Sequence, residues 1–265
     1  MRQLPWAALA DLDFASLRRL QRLASKKPGA SQFGRLPHSP ASGHSPRAAI
    51  NILTFDGQTG PSVLLLRKTS RGRHGGQLCF PGGYCNDGES DVEAAARELQ
   101  EECGLDSTSG GGQVKTYGCL GWFQTARTAV DVAAHAGCFD HFAAVYNADI
   151  CCGGDMEHTL GLRLDQNEAD RAIGLPIEML CDRRLVDLHG HHQCAEVDAV
   201  PGEIDWSGFQ YEGPTFQLHA KAKALAIDNN STQPVLWGLS ARILAYYLSL
   251  LAEVALDDNP RYARR

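Results

Sequence analysis

Glu98, Glu101 and Glu102 stand three and four residues apart in a stretch of helical periodicity, which sets three carboxylates on one helical face within reach of the same ions. Like charges so crowded repel one another unless cations lie between them. Carboxylate oxygens are hard ligands that suit Mg2+ or Mn2+, and these ions bridge protein carboxylates to the oxygens of a bound phosphate. The chemistry indicated is metal-assisted reaction at phosphorus. A bare Glu101-Glu102 pair would mean no more than a solvated acidic face. What changes the reading is the fixed setting of all three, with Gly83 and Glu89 upstream, Arg97 beside them and Gly104-Leu105 behind.

A helix over about residues 90–103 must carry these groups. Val92, Ala95, Ala96, Leu99 and Cys103 form its apolar stripe and are expected against a sheet, Glu93 and Arg97 form an i, i+4 pair, and Gly104 ends the helix as a left-handed cap. Gly82, Gly83 and Gly88 in the preceding loop allow sharp turns and close approach to metal or phosphate. Residues 49–54 and 62–66 read as an antiparallel pair of strands around Asp56, Gly57, Gly60 and Pro61, with further short strands expected over 117–123, 130–138 and 142–147. The fold class is α/β of the mixed α+β kind, with short strands and few helices.

Outside that core, Leu12, Phe14, Leu17, Leu20 and Leu23 recur at helical spacing, while residues 26–47 are dense in Ser, Pro, Gly and His. The chain is thus divided into an N-terminal helix and flexible linker over 1–47, a main domain over 48–256 and a tail over 257–265. Residues 1–45 are expected to be dispensable for chemistry. The apolar run 235–256 approaches the length of a bilayer span, yet it holds Arg242 and Glu253, so a buried helix is expected and no membrane partner. A formal charge of −6 over 265 residues gives no electrostatic reason to expect nucleic acid as a partner. Nine cysteines at irregular spacing, with no secretory signal before them, suit a reducing intracellular compartment, the cytoplasm first, with a mitochondrial or peroxisome-like organelle left open. Cys181, His189, His191, His192 and Cys194 have zinc-ligand chemistry but no familiar ligand spacing, and the segment reads as a solvated loop.

From Gly83 to Leu105 the residues follow G-x5-E-x7-R-E-U-x-E-E-x-G-U, where U is aliphatic, and so fill every specified position of the Nudix box. The chain resembles the Nudix hydrolases. That resemblance implies a mixed β-sheet sandwiched between α-helices, a Mg2+ or Mn2+ cofactor and hydrolysis of a nucleoside diphosphate linked to another moiety. It makes Glu98 and Glu102 the leading metal ligands, Glu101 a further ligand or the base for the attacking water, and Glu89 and Arg97 braces between loop and helix. Glu168 is a candidate catalytic carboxylate from outside the box, placed after a strand, or else an exposed loop glutamate.

Residues 64–83, with an arginine after a leucine run, a basic cluster and then Gly76-Gln77-Leu78-Cys79-Phe80-Pro81-Gly82-Gly83, resemble the coenzyme A diphosphatase branch, as does the segment around Trp237-Gly238. Lys68 and Gly72 depart from that branch's pattern. The resemblance implies coenzyme A or an acyl derivative as substrate, cleaved to 3',5'-ADP and 4'-phosphopantetheine. Arg67, Arg71 and Arg73 would be donors to the 3'-phosphate, and Phe80, Gly82 and Gly83 would be further contacts. The alternatives are a Nudix diphosphatase for ADP-ribose, NADH or a dinucleoside polyphosphate, or a module that binds a nucleotide or RNA without cleaving it. A homodimer is a further possibility.

Overall fold

The computed structural model describes residues 4–27, 35–36, 46–57, 59–69, 76–107, 114–126, 128–139, 162–193, 210–218 and 235–259. The predicted strand over 142–147 lies outside them, as do Arg71, Arg73 and Cys194.

The main sheet is built around β2 (Arg47–Gly57) and β3 (Gly60–Lys68), an antiparallel pair joined at Gly57 and Gly60. β7 (Asp131–Phe139) runs parallel to β2 along one edge, and the short β5 (Gly82–Tyr84) lies antiparallel to the start of β2 on the other. β6 (Val114–Gln124) pairs with β7, and β1 (Arg35–Leu36) borders β6. β4 (Leu78–Cys79) and β8 (Ala169–Pro176) pair with opposite edges of β3. The sheet is therefore mixed, with a parallel contact at its centre.

Strand geometry explains how this sheet holds two layers apart. Successive side chains point to opposite faces, so Ile52, Val63 and Leu65 join one apolar cluster while Leu53, Phe55, Leu64 and Leu66 join another. The second cluster includes Leu99, Cys103 and Leu105 from α2 (Asp91–Cys103) and the residues just after it. The first takes in α1 (Phe14–Ala24) and the C-terminal helix, together with α3 (Ile177–Leu180). With both faces covered, Val63 to Leu66 can be an unbroken apolar run. The C-terminal helix, α4 (Gly238–Asp258), is long and apolar enough to cross a membrane, and 72% of its most apolar window is buried inside the protein. The mixed sheet between helical layers is the fold class expected from the sequence.

A second sheet comprises β9 (Val186–Gln193), β10 (Gln210–Gln217) and β11 (Val235–Leu236), all antiparallel. Its first strand corrects the expected solvated loop at 189–192. Val186 and Gly190 point inward while Asp187, His189 and His191 stay exposed, a period of two that had been obscured by the polar composition. Cys181 sits just after α3, facing the Trp6 carbonyl at 3.4 Å.

The second correction concerns the N-terminal segment. Trp6, Leu9, Leu17, Leu20 and Ala24 are buried in the same cluster as the C-terminal helix, while Leu23, assigned to the apolar stripe, is exposed. Trp6 stacks on Phe216 and donates from its indole nitrogen to the Leu180 carbonyl at 2.9 Å. Fully buried Gln21 donates to the Gly137 carbonyl of β7 and accepts from Thr54 of β2, so α1 is hydrogen-bonded into the sheet. Residues 4–27 thus contribute to the principal core. Only part of the expected linker can be judged: Arg35 and Leu36 form β1.

A chain begun at Pro46 is therefore predicted to lose solubility or unfold at lower temperature, contrary to the dispensability expected from sequence. Trp6→Ala should cost about 3–5 kcal/mol, lowering the Tm by on the order of 10 °C. An unchanged melting curve for either variant would show that this packing contributes nothing.

Candidate active site

The start of α2 is fixed by its own sequence. The Ser90 hydroxyl accepts from the Glu93 amide while the Glu93 carboxylate accepts from the Ser90 amide, a reciprocal capping box. Glu93 is consequently used at the cap and does not pair with Arg97 as the spacing had suggested. One residue on, the Asp91 carboxylate meets Nε2 of buried His135 at 3.0 Å. Burial lowers the His135 pKa, favouring neutral imidazole, and Cys119 completes a group of oxygen, nitrogen and sulfur atoms all within 4.8 Å of one another. Midway along α2, the Asn51 side chain of β2 donates to the Ala95 carbonyl at 2.8 Å. Ala94 and Ala95 pack on Ala49 and Ala133, and these small side chains let the helix lie close to the sheet. Val92, expected in that stripe, is exposed, and Ala94 takes the inward position. Gly104 ends the helix in the left-handed conformation.

This anchoring aims Glu98 and Glu102 at the loop through Phe80, Gly82 and Gly83. The Gly82 amide donates to Glu102 Oε2 at 2.7 Å. A Cβ on Gly83 would lie 2.4 Å from Glu98 Oε1, and one on Gly82 would strike the Ala49 carbonyl at 2.2 Å, so the paired glycines leave room for the glutamate on one side and the sheet on the other. Phe80, expected as a substrate contact, is buried in the core and also reaches the wall of the cavity beside the glutamates.

Arg97 ties loop and helix together. Its Nε and Nη2 donate to the two Glu89 carboxylate oxygens at 2.9 and 3.1 Å, Nη2 also to the Tyr84 carbonyl, and Nη1 to both Glu98 and Glu101 at 2.9 Å. These carboxylates hold the Arg97 pKa above its ordinary range. The same contact turns Glu101 away from Glu102. The Glu101 side chain is 58% exposed, against 13% for Glu98, and Glu102 as a residue is only 3% exposed. The three box glutamates therefore divide: two face inward and Glu101 sits on the outer rim.

A cavity of 490 Å³ opens in front of Glu98, with Glu168, Lys68, Gly82 and Gly83 in its wall. Glu168 lies in the turn that precedes β8 and is exposed, and the segment 140–161 ahead of it lies outside the described residues. Burial raises the Glu102 carboxyl well above its ordinary value, opposed by the Gly82 amide and Lys68 and reinforced by Glu98 and Glu168. Glu98 is raised too, mainly by burial, with Arg97 opposing and Glu101 and Glu168 adding. Desolvated carboxylates with hard oxygen donors, Glu98 and Glu168 in the cavity wall and Glu102 beside them with Lys68 as the cation acting on it among the described residues, fit a divalent cation such as Mg2+ or Mn2+. Glu98 and Glu102 would hold it, with Glu168 beside them.

Arg67 does not join this group. It forms a two-pronged pair with Asp170 of β8, Nε to Oδ1 at 2.7 Å and Nη2 to Oδ2 at 2.9 Å, which occupies the donors expected to read a substrate phosphate. Sequence reasoning missed three residues whose surroundings come only from tertiary folding. Lys68, noticed as a departure from pattern, reaches this cavity, while Asn51 and His135 position α2.

Because folding raises the Glu102 carboxyl above its ordinary value of 4.5, its contribution to stability is complete below that pH and is lost as pH rises through the raised value. Glu102→Gln should therefore raise the metal-free Tm near neutral or mildly alkaline pH, with the gain shrinking as pH falls toward 4.5. The same variant should blunt the increase in Tm that Mg2+ or Mn2+ gives the native chain. Identical melting curves and identical metal response would contradict this assignment.

Residues 45–138 match the NUDIX domain model. Nudix hydrolase 3 of Caenorhabditis elegans is 37% identical over 81 residues, 30% of this chain and 33% of that protein. The mitochondrial coenzyme A diphosphatase NUDT8 of Mus musculus is 47% identical over 49 residues, 17% of this chain and 23% of that one. The chain thus spans a third or less of the length of these curated relatives. Among solved structures, the MutT/nudix family protein from Enterococcus faecalis is similar over 83% of this chain and 65% of its own, at 13% identity and a TM-score of 0.40, a likeness on which no argument rests. With the complete box and its helix inside the matched segment, this chain carries a Nudix domain.

Proposed function

We propose that the protein is a metal-dependent hydrolase that cleaves the diphosphate bond of a nucleotide, with coenzyme A or an acyl coenzyme A as substrate and 3',5'-ADP and 4'-(acyl)phosphopantetheine as products. The observation that carries the proposal is the inward pair Glu98 and Glu102, both desolvated, with Glu98 in the wall of a cavity that Glu168 and Lys68 also line and Glu102 buried behind the Gly82 amide. The resemblance of residues 64–83 to the coenzyme A branch, and the partial identity with the mouse enzyme, support the choice of substrate.

A divalent ion bound by Glu98 and Glu102 would supply charge neutralisation at the diphosphate and activation of water. Lys68 places a cation at the same cavity, where it balances phosphate charge. Arg97 fixes the Glu98 carboxylate and the loop that carries Gly82 and Gly83. Glu168 is exposed and its carboxylate accepts no hydrogen bond among the described residues, so it is free to take a proton from the attacking water. Glu101, with Arg97 on its carboxylate, is worse placed for that role. The water oxygen bonds to phosphorus, the anhydride P–O bond breaks, and two phosphate products leave.

The proposal is tested on a panel of coenzyme A, ADP-ribose, NADH and a dinucleoside polyphosphate with Mg2+ or Mn2+, products being identified by mass. Coenzyme A should give the highest kcat/KM, and excess EDTA should abolish turnover. Glu98→Gln should lower kcat by orders of magnitude. Glu168→Gln should lower it by about 10²–10⁴-fold with little change in KM, as expected for a general base. Faster cleavage of ADP-ribose would reassign the substrate, and full activity in Glu168→Gln would remove that residue from the chemistry.

A further inference from the structure

Beside the glutamate cavity lies a second one of 540 Å³, and Lys68, Cys79, Tyr84, Thr125, Leu239 and Ser240 line both. The two are thus parts of one cleft. The second is walled by aromatic rings: Tyr84 is 58% exposed, and Trp237 packs on Tyr211 with ring centroids 5.7 Å apart. It also contains Arg242, in the second turn of α4. Arg242 is partly buried, and its one hydrogen bond among the described residues is from Nη2 to the Gln124 carbonyl at 2.9 Å. No carboxylate pairs with it among those residues. Glu212, which also borders the cavity, is exposed and makes no ion pair with it.

A guanidinium in this setting has lost water without gaining an anion, and burial lowers the Arg242 pKa accordingly. Tyr211, the titratable group that acts on it, is neutral near pH 7, its own pKa being pushed up to about 12. Guanidinium donors left available beside flat aromatic faces suit a phosphate carried on a nucleoside. A nucleotide with its diphosphate in front of Glu98 would extend into this second cavity along the wall the two share. Arg67, by contrast, already has its carboxylate.

We propose that Arg242 is the specificity-determining residue for a second phosphate on the substrate's nucleoside, the 3'-phosphate if the substrate is coenzyme A, with Tyr84 and Trp237 beside the base. This rests on the reading of the neighbouring cavity as the site of diphosphate cleavage.

The test measures binding of two probes, 3',5'-ADP and 5'-AMP, to the full chain by calorimetry in the presence of Mg2+, alongside kcat/KM for coenzyme A and dephospho-coenzyme A. A charge-assisted hydrogen bond predicts that 3',5'-ADP binds roughly ten- to a hundredfold more tightly than 5'-AMP. Arg242→Gln should erase the difference, while Arg242→Lys, which keeps the charge, should retain part of it, with melting curves confirming that both fold. The kinetic preference for coenzyme A should fall in step, through KM more than kcat. Equal binding of the two probes by the native chain overturns the inference without any variant, as does a preference that survives Arg242→Gln or disappears in Arg67→Gln instead. Hydrolysis of both substrates at equal rates would defeat this inference and leave the diphosphatase reading standing. Discrimination between the probes with hydrolysis of neither substrate would uphold the phosphate subsite and defeat coenzyme A as the substrate.

Discussion

The Glu102 carboxylate is almost wholly removed from water, with the Gly82 amide as its hydrogen-bond donor and Glu98 and Glu168 as like-charged neighbours. An arrangement of this kind is unfavourable in an isolated protein, because desolvation and repulsion both disfavour the ionised form. The surrounding structure nevertheless holds it in place. Arg97 neutralises the outer side of the cluster through Glu98, Glu101 and Glu89, and Lys68 is the cation that acts on Glu102 among the described residues. Glu98 and Glu168 face the cavity with Lys68, where, on the proposed reading, a divalent ion and a phosphate ester would fit together.

Much of the scaffold can be understood as keeping α2 from relieving that repulsion by moving away. The capping box fixes where the helix begins, Asp91 and His135 join its first turn to β7, and Asn51 holds its middle against β2. Alanines on both surfaces allow close approach, Gly83 leaves out a side chain that would occupy the Glu98 carboxylate's space, and Gly82 one that would strike the β2 backbone. On the opposite face of the sheet, α1 and α4 bury the other alternating set of apolar residues. Both helical layers are therefore needed for a sheet whose central strands are apolar on both sides, and the N-terminal residues are part of that requirement.

Features with a local cause were legible in the sequence. The turn between β2 and β3, the span of α2, its glycine cap and the burial of α4 all follow from periodicity and turn chemistry within a few residues of themselves. The box glutamates were legible for the same reason, being spaced on a single helix. Misreadings arose where tertiary competition decides the outcome. Glu93 has two available partners, and the cap wins over Arg97; Arg67 has a basic neighbourhood in sequence but Asp170 across a strand pair. Trp6 and Gln21 lie before a polar segment that suggested separation, yet all their partners lie beyond it, Leu180 and Gly137 more than a hundred residues away. Arg242 was visible only as a charge interrupting an apolar run, a signal that argued against a membrane span and carried a second meaning once the cleft was formed.

The central claim, that Glu98 and Glu102 hold a divalent ion while Glu101 stands outside, is tested most directly by titrating the chain with Mn2+ and following free ion by electron paramagnetic resonance, without substrate. The account predicts that Glu98→Gln and Glu102→Gln each weaken Mn2+ binding strongly, whereas Glu101→Gln weakens it far less. Loss of binding in Glu101→Gln equal to that in the other two, or unchanged binding in all three, would contradict it.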